Sequence, residues 1–310
     1  MTATIQRGSH RDGVLAGMGT MVVLGGSVPV TGMLDGYPVV LGQALRYALG
    51  GLLLLGWAYW RGIRLPLPGL RDLPALVGLA ASGMIGFQAF LLLAQRYAEP
   101  GLAAAVLGGS PLVLAFGGAL VARRRPAAAP VLGAVLAAAG VAVLSGGGAW
   151  HGPGLLLAVL AMLAEVSFTL FAVGVIARLG PRACATWSCV VAAAGGAVTS
   201  AVLGETWRLP AGRTLVAVLV LAVVVTAIAF CAWYFAVSVL GADRAGVLLG
   251  IVPVSGLIVA VLLGAQSPQV VDVLGALLVG AGVVVGLHRS ASDRRGPSGA
   301  RPAPRPAAPR

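Results

Sequence analysis

The sequence predicts an all-α polytopic membrane protein of ten transmembrane helices, arranged as two inverted five-helix repeats. Three observations carry this reading. First, the 310 residues are 59% hydrophobic and only 10% charged, with a mean hydropathy of +0.97. A water-soluble domain carries about 25% charged and 45–50% apolar residues, so a surface this apolar belongs in lipid. Second, ten stretches reach the roughly 20 apolar residues needed to cross a bilayer core of about 30 Å. They fall near 13–32, 38–60, 73–95, 101–122, 128–147, 154–177, 182–203, 213–238, 245–265 and 269–288. Third, the chain repeats itself at an offset of 142. Pro111 and Pro126 land on Pro253 and Pro268, and Gly133 and Gly140 land on Gly275 and Gly282. Around them Val131, Leu132, Ala134, Leu136, Ala139, Val141 and Val143 meet Val273, Leu274, Ala276, Leu278, Ala281, Val283 and Val285. Two prolines and two glycines in one register mark an internal duplication.

Each segment is bounded by loop chemistry. Arg7, His10 and Arg11 precede the first; no A-x-A site follows and a second apolar segment starts at once, so the first is read as a retained helix and not a cleaved leader. The breaks that follow are Arg61 to Pro68, Arg96 to Pro100, Arg123–Arg124–Arg125–Pro126 and Gly146 to Pro153. The later ones are Leu179–Gly180–Pro181–Arg182, Glu205 to Arg213 and Gln266–Ser267–Pro268. The expected organisation is a cytoplasmic N-terminal segment 1–12, repeats over 13–147 and 148–288, and a disordered basic Pro/Arg tail over 289–310.

The duplicated blocks are segments four and five against nine and ten, so each half holds five crossings. Five is odd, and the second half therefore enters the membrane in the opposite sense. Inverted repeats of this kind build secondary transporters, with the substrate site near the midplane where the halves meet. All 21 basic residues are arginine. With the N-terminus inside, only Arg96, Arg208 and Arg213 fall outside and Arg46 lies within a segment; every other arginine faces the cytoplasm. That bias predicts N-in and C-in. It also explains the net charge of +12 without a nucleic-acid partner. The arginine-only, glycine-rich composition points to a GC-rich bacterial genome and a bacterial inner membrane.

Charges inside the bilayer cost about 2.5–3.5 kcal/mol at a helix centre on the insertion scale, so each needs a reason. Two lie deep: Arg46 in segment two and Glu165 in segment six. Arg46 is a candidate for holding a substrate carboxylate or phosphate through its guanidinium fork. Glu165, flanked by Ser167 and Thr169, is a candidate proton-coupling group. A permanent Arg46–Glu165 pair locking the halves is the structural alternative. Gln43, one turn before Arg46, and Gln88, with Ser82 nearby, are candidates for substrate contact or for interhelical hydrogen bonds. Trp187, Trp233 and Tyr234 are candidate cavity-lining residues, whereas Trp57, Tyr59, Trp60, Trp150 and Trp207 sit near segment ends as an interfacial belt. Pro111 and Pro253 are candidate helix breaks and hinges, and Ser110 and Ser255 beside them are placed to bridge freed carbonyls.

These residues resemble the EamA-type permeases of the drug/metabolite transporter superfamily. Arg46–Tyr47–Ala48–Leu49–Gly50–Gly51 and the following leucines are similar to that family's Arg-aromatic pair and Ala/Leu run. Ala232–Trp233–Tyr234–Phe235–Ala236, then Gly241–Ala242–Asp243–Arg244–Ala245, then Pro253, resemble its aromatic stretch, short Gly-Ala turn and mid-helix proline. The resemblance spans about 13–288. One departure is segment one, which reads Met21–Val22–Val23–Leu24–Gly25–Gly26–Ser27 where the family often carries Trp and polar residues. The resemblance implies a permease exporting or exchanging a small metabolite, amino acid-like or toxic and amphipathic.

Other classes fit less well. A membrane enzyme would need a nucleophile, an acid/base set or a metal cluster, yet His10, His151 and His288 lie at ends or loops and no hydrolase or metalloprotease signature occurs. Cys184, Cys189 and Cys231 have no ligand spacing, so no metal or other cofactor is expected. With no lysine in the chain there is no P-loop for ATP. A nucleotide-sugar or organic-phosphate exchanger would want several intramembrane cations, and a non-transporting scaffold would not need the inverted repeat. The expected partners are the lipid bilayer, a small-molecule substrate and protons, with the chain acting as a monomer or homodimer.

Overall fold

The computed structural model describes residues 9–34, 36–146, 149, 151–264, 267 and 269–288, with the backbone alone at 28, 100 and 101. The tail 289–310, most of the N-terminal segment, Trp150 and Pro268 lie outside the described residues. The described chain is helical, with ten helices long and apolar enough to cross a membrane. These are α1 (His10–Gly32), α2 (Val39–Trp60), α3 (Leu73–Ala94), α4 (Leu102–Val121) and α5 (Ala128–Ser145) in the first half. The second half holds α6 (Gly154–Leu179), α7 (Pro181–Val202), α8 (Gly212–Leu240), α9 (Ala242–Leu262) and α10 (Val270–Leu287). Boundaries agree to within three residues; one of the larger departures is the start of α9, which sits at Ala242 and not near 245. Its cause is a turn of one residue: Gly241 joins α8 to α9 at φ 81°, ψ 159°. Gly180 joins α6 to α7 in the same conformation, φ 84°, ψ 164°. That region of backbone space is essentially restricted to glycine.

The helices pack across the halves under an exchange rule. Helix α1 packs on α8 and α9, and α6 packs on α3 and α4; α2 packs on α8, and α7 on α3. The pairs α2·α7, α4·α9 and α5·α10 map onto themselves. Swapping each of these helices for the one five places on exchanges these contacts among themselves, as a two-fold axis between the repeats requires, whereas the α6·α8 contact has no comparable mate between α1 and α3.

The same symmetry appears atom by atom where α5 meets α10. A Cβ built on Gly140 would lie 2.7 Å from the Gly275 carbonyl oxygen, and one on Gly282 would lie 2.6 Å from the Gly133 carbonyl oxygen. Residue 275 is the repeat mate of 133, and 282 is the mate of 140. Each glycine therefore meets the partner of the other, the reciprocal contact of a two-fold interface. In lipid, where apolar faces gain nothing by leaving solvent, such backbone-to-backbone approach is what holds helices together.

Two irregularities are also duplicated. Helix α3 carries a π-helical stretch over Ala80–Gly86, and α8 carries one over Leu221–Ile228; the offset of 142 superimposes them to one residue. Helix α4 breaks at Gly108–Gly109 before restarting at Ser110–Val121, and α9 passes through a 3₁₀ turn at Leu248–Gly250 before Ile251–Leu262. Pro111 and Pro253 thus sit in the first turn of the restarted helix, where a missing N–H is least costly. The break itself falls on the preceding glycines.

Candidate functional site

Arg46 projects from α2 and is 7% exposed. Its Nη2 donates to the Tyr47 hydroxyl at 3.1 Å, and the guanidinium carbon stands 4.7 Å from the Tyr47 ring centroid. The Tyr47 hydroxyl in turn donates to the Met84 carbonyl at 3.1 Å, inside the π-helical stretch of α3. A π-helical turn displaces the regular hydrogen-bond ladder, and this carbonyl is served by a side chain from a neighbouring helix. Beside this relay, three buried polar atoms have no hydrogen-bond partner: Gln43 Oε1, Arg46 Nε and Thr226 Oγ1. Gln43 and Arg46 are one turn apart on α2. Gly50, one turn further, backs directly onto Thr226 of the α8 π-helical stretch, with its built Cβ 2.5 Å from Thr226 Cγ2. A buried polar atom without a partner costs about 1–3 kcal/mol, and these three lie unpaired on α2 and α8.

Glu165 occupies the middle of α6. The Ser110 hydroxyl, at the restart of α4, donates to its Oε2 at 2.5 Å. No ion pair joins Glu165 to Arg46, so the structural alternative of a permanent pair is not formed in this structure. An aromatic wall runs from one region to the other. Phe168, one turn from Glu165, stands 5.7 Å from Phe230, and Phe230 stands 6.3 Å from Tyr47, ring centroid to ring centroid. Tyr234 closes the cluster at 5.7 Å from Phe168 and 6.0 Å from Phe230, with its hydroxyl 3.5 Å from Ser188 Oγ. A run of aromatic rings from α2, α6 and α8 thus links the two regions, with Phe168 one turn from Glu165 and the Tyr47 ring beneath the Arg46 guanidinium.

The remaining expected residues divide. Trp233 and Tyr234 are buried in the core, and Gln88 is half-buried just beyond the α3 π-helical stretch. The Trp187 indole N–H donates to the Pro66 carbonyl at 2.9 Å, tying it to the loop between α2 and α3. The two serines also differ from one another. Ser255 shares its proton between the Val252 carbonyl at 2.9 Å and the Met21 carbonyl of α1 at 3.2 Å. Ser110 instead serves Glu165, so only Ser255 bridges a carbonyl beside a helix break. Trp57, Tyr59, Trp60 and Trp207 are exposed.

Contacts between the halves bridge both ends of the molecule. At the arginine-rich end, Arg124 at the end of α4 pairs with Asp243 at 2.6 Å, and Arg178 at the end of α6 pairs with Asp72. The Arg178 guanidinium and the Gly69 N–H hold the Asp72 carboxyl below the ordinary carboxylate range. At the other end, Arg208 Nη2 donates to the Gly36 carbonyl at 2.5 Å, and the Tyr37 hydroxyl donates to the Arg208 carbonyl at 2.5 Å. Glu205 accepts from the Val40 and Leu41 N–H groups at 3.1 and 2.8 Å, capping α2 from the opposite half. Sequence reasoning missed these bridges and the aromatic wall. Phe168 three residues after Glu165, and Phe230 four before Tyr234, were the available signals.

Ten apolar spans in two inverted halves, with polar groups enclosed between them, define a multi-pass membrane transporter. The chain belongs to the EamA-like transporter family, whose model matches residues 11–146 and again residues 152–287. An uncharacterized transporter of Archaeoglobus fulgidus is 24% identical over 217 residues, 69% of this chain and 78% of that protein. A protein of known crystal structure superimposes with a TM-score of 0.76 at 26% identity, over 89% of this chain and 96% of that one.

Proposed function

We propose that this protein is a secondary active transporter that exports a small zwitterionic or amphipathic metabolite across a bacterial inner membrane by alternating access, with both termini in the cytoplasm. The observation that supports this reading best is the arrangement around the aromatic wall. A substrate carboxylate fits the unpartnered Nε of Arg46 and the Thr226 hydroxyl as donors, and a substrate N–H fits Gln43 Oε1 as acceptor. A substrate cation or a proton fits Glu165, and an apolar middle lies on Phe168, Phe230 and Tyr47. All three parts draw on both repeats, so a change in how the halves lean on one another changes the site. Breaking the Arg124–Asp243 and Arg178–Asp72 pairs opens one end; releasing Arg208 from Gly36 and Tyr37 opens the other. Coupling runs through Glu165, which carries a proton in one state and yields it in the other.

The test is transport in vesicles loaded with purified protein, screened by counterflow over amino acids and small toxic compounds. Glu165→Gln is expected to abolish uptake driven by a pH gradient while leaving substrate-for-substrate exchange and membrane insertion intact. Retained pH-driven uptake in that variant removes the carboxyl from the coupling step. Arg46→Ala is expected to weaken acidic and zwitterionic substrates more than cationic ones; an equal loss across charge classes assigns Arg46 a purely structural role.

A further inference from the structure

Two apolar surface grooves among the described residues are mates under the internal repeat, but their ends differ in charge. The larger, about 580 Å³, runs along α4: Leu112, Val113, Phe116 and Leu120 form its wall, and Arg124 and Pro126 close it. The other, about 380 Å³, runs along α9, where Val254, Ile258 and Leu262 stand at the positions equivalent to Leu112, Phe116 and Leu120, and Asp272 lies at its edge. From Leu112 to the helix end at Val121 the first groove follows about 14 Å of helix at 1.5 Å per residue, with Arg124 in the turn beyond. That is close to the depth of one leaflet, half of a core about 30 Å thick. Exposed Arg123 and Arg125 flank Arg124 at its mouth. Arg124 already carries Asp243 as partner, so the two flanking guanidinium groups supply the positive charge that faces outward.

We propose that the α4 groove is a binding site for one anionic phospholipid of the leaflet that the arginine-rich loops face. Its acyl chain lies on Leu112, Phe116 and Leu120, and its phosphate sits on Arg123 and Arg125. Charge complementarity selects the occupant. A hydrocarbon wall one leaflet deep fits an acyl chain, and the paired guanidinium groups at its polar end fit an anionic headgroup. The α9 groove has the same wall but a carboxylate at its edge, and so it accepts acyl chains without preferring an anionic headgroup. The two mates are thus a control built into one molecule.

The test uses the full-length protein extracted with phosphatidylglycerol and phosphatidylcholine and examined by native mass spectrometry for retained lipid. Wild type is expected to retain phosphatidylglycerol in preference to phosphatidylcholine. The double variant Arg123→Gln/Arg125→Gln should lose that preference by about five-fold per arginine, equivalent to about 1 kcal/mol each. Leu120→Trp, which fills the groove, should lower phosphatidylglycerol retention, while Leu262→Trp at the equivalent place on α9 should leave it unchanged. Equal retention of the two lipids by wild type overturns the proposal. So does an undiminished preference in the double arginine variant, which alters only exposed side chains and remains decisive even if Leu120→Trp does not fold. An equal effect of Leu262→Trp and Leu120→Trp overturns the assignment to α4.

Discussion

Replacing Gly140 by alanine tests the reciprocal contact of α5 and α10. The new methyl group would lie 2.7 Å from the Gly275 carbonyl oxygen and 2.7 Å from the Val279 amide nitrogen. Ordinary contact begins near 3.4 Å, so the two backbones must part by up to about 0.7 Å. Overpacking of this kind costs typically about 1–3 kcal/mol. Against it stands the helix preference of alanine over glycine, about 1 kcal/mol. The expected net result is a loss of about 0–2 kcal/mol. Gly280 lies on the same helix as Gly275 with nothing within 4 Å of its built Cβ, so Gly280→Ala is expected to gain up to about 1 kcal/mol. Gly275→Ala repeats the clash from the other side, 2.8 Å from the Gly140 carbonyl oxygen. Once the helices have parted for one methyl group, the second costs less, so the Gly140→Ala/Gly275→Ala double variant should fall short of the sum. The assay is thermal unfolding in mild detergent, followed by loss of the monodisperse species. A Gly140→Ala protein as stable as Gly280→Ala would show that the two glycines do not support the close approach assigned to them.

Two further outcomes follow from the geometry. Tyr47→Phe removes the hydroxyl between Arg46 Nη2 and the Met84 carbonyl, leaving both unserved; affinity for a carboxylate substrate should fall by about one order of magnitude, from roughly 1–3 kcal/mol per unmade buried bond. An unchanged affinity, measured by counterflow competition, would mean that Arg46 is positioned by other groups. Asp72, whose carboxyl is held below its ordinary range, contributes stability above its unfolded pKa and loses it as the pH falls through its folded value. The difference in unfolding temperature between wild type and Asp72→Asn should therefore be present at neutral pH, begin to shrink near pH 4, the ordinary carboxylate value, and vanish only below the lowered value of the folded state. A difference that persists in acid would assign the effect to something other than the Arg178 pair.

The ten spans were legible because apolar length is a direct imprint of bilayer thickness, and each loop carries Arg, Gly or Pro. The repeat was legible because Gly133, Gly140, Pro111 and Pro126 hold their spacing in the second half. That these glycines meet crosswise, Gly133 with Gly282 and Gly140 with Gly275, was not, because sequence gives register along a helix but not the rotation that chooses its neighbour. The same gap left the choice between an Arg46–Glu165 pair and separate roles open. Both residues point inward, yet helices that are apolar on every side do not announce which face turns to which partner. The aromatic wall of Tyr47, Phe168 and Phe230 runs between the two regions. The π-helical stretches left the weakest trace: Leu221–Ile228 contains neither glycine nor proline, and it packs against α1 and α2.

The opposed threading of the two halves is tested most directly by labelling one repeat-mate pair from outside the cell. Arg61, after α2, and Leu203, after α7, are equivalent under the offset of 142 and both exposed. Single cysteines at these positions, in a protein whose Cys184, Cys189 and Cys231 are replaced by alanine, are treated with a membrane-impermeant maleimide on intact cells. Leu203→Cys should react at once and Arg61→Cys only after the membrane is opened; reaction of both from the same side would contradict the inverted repeat and, with it, the alternating route.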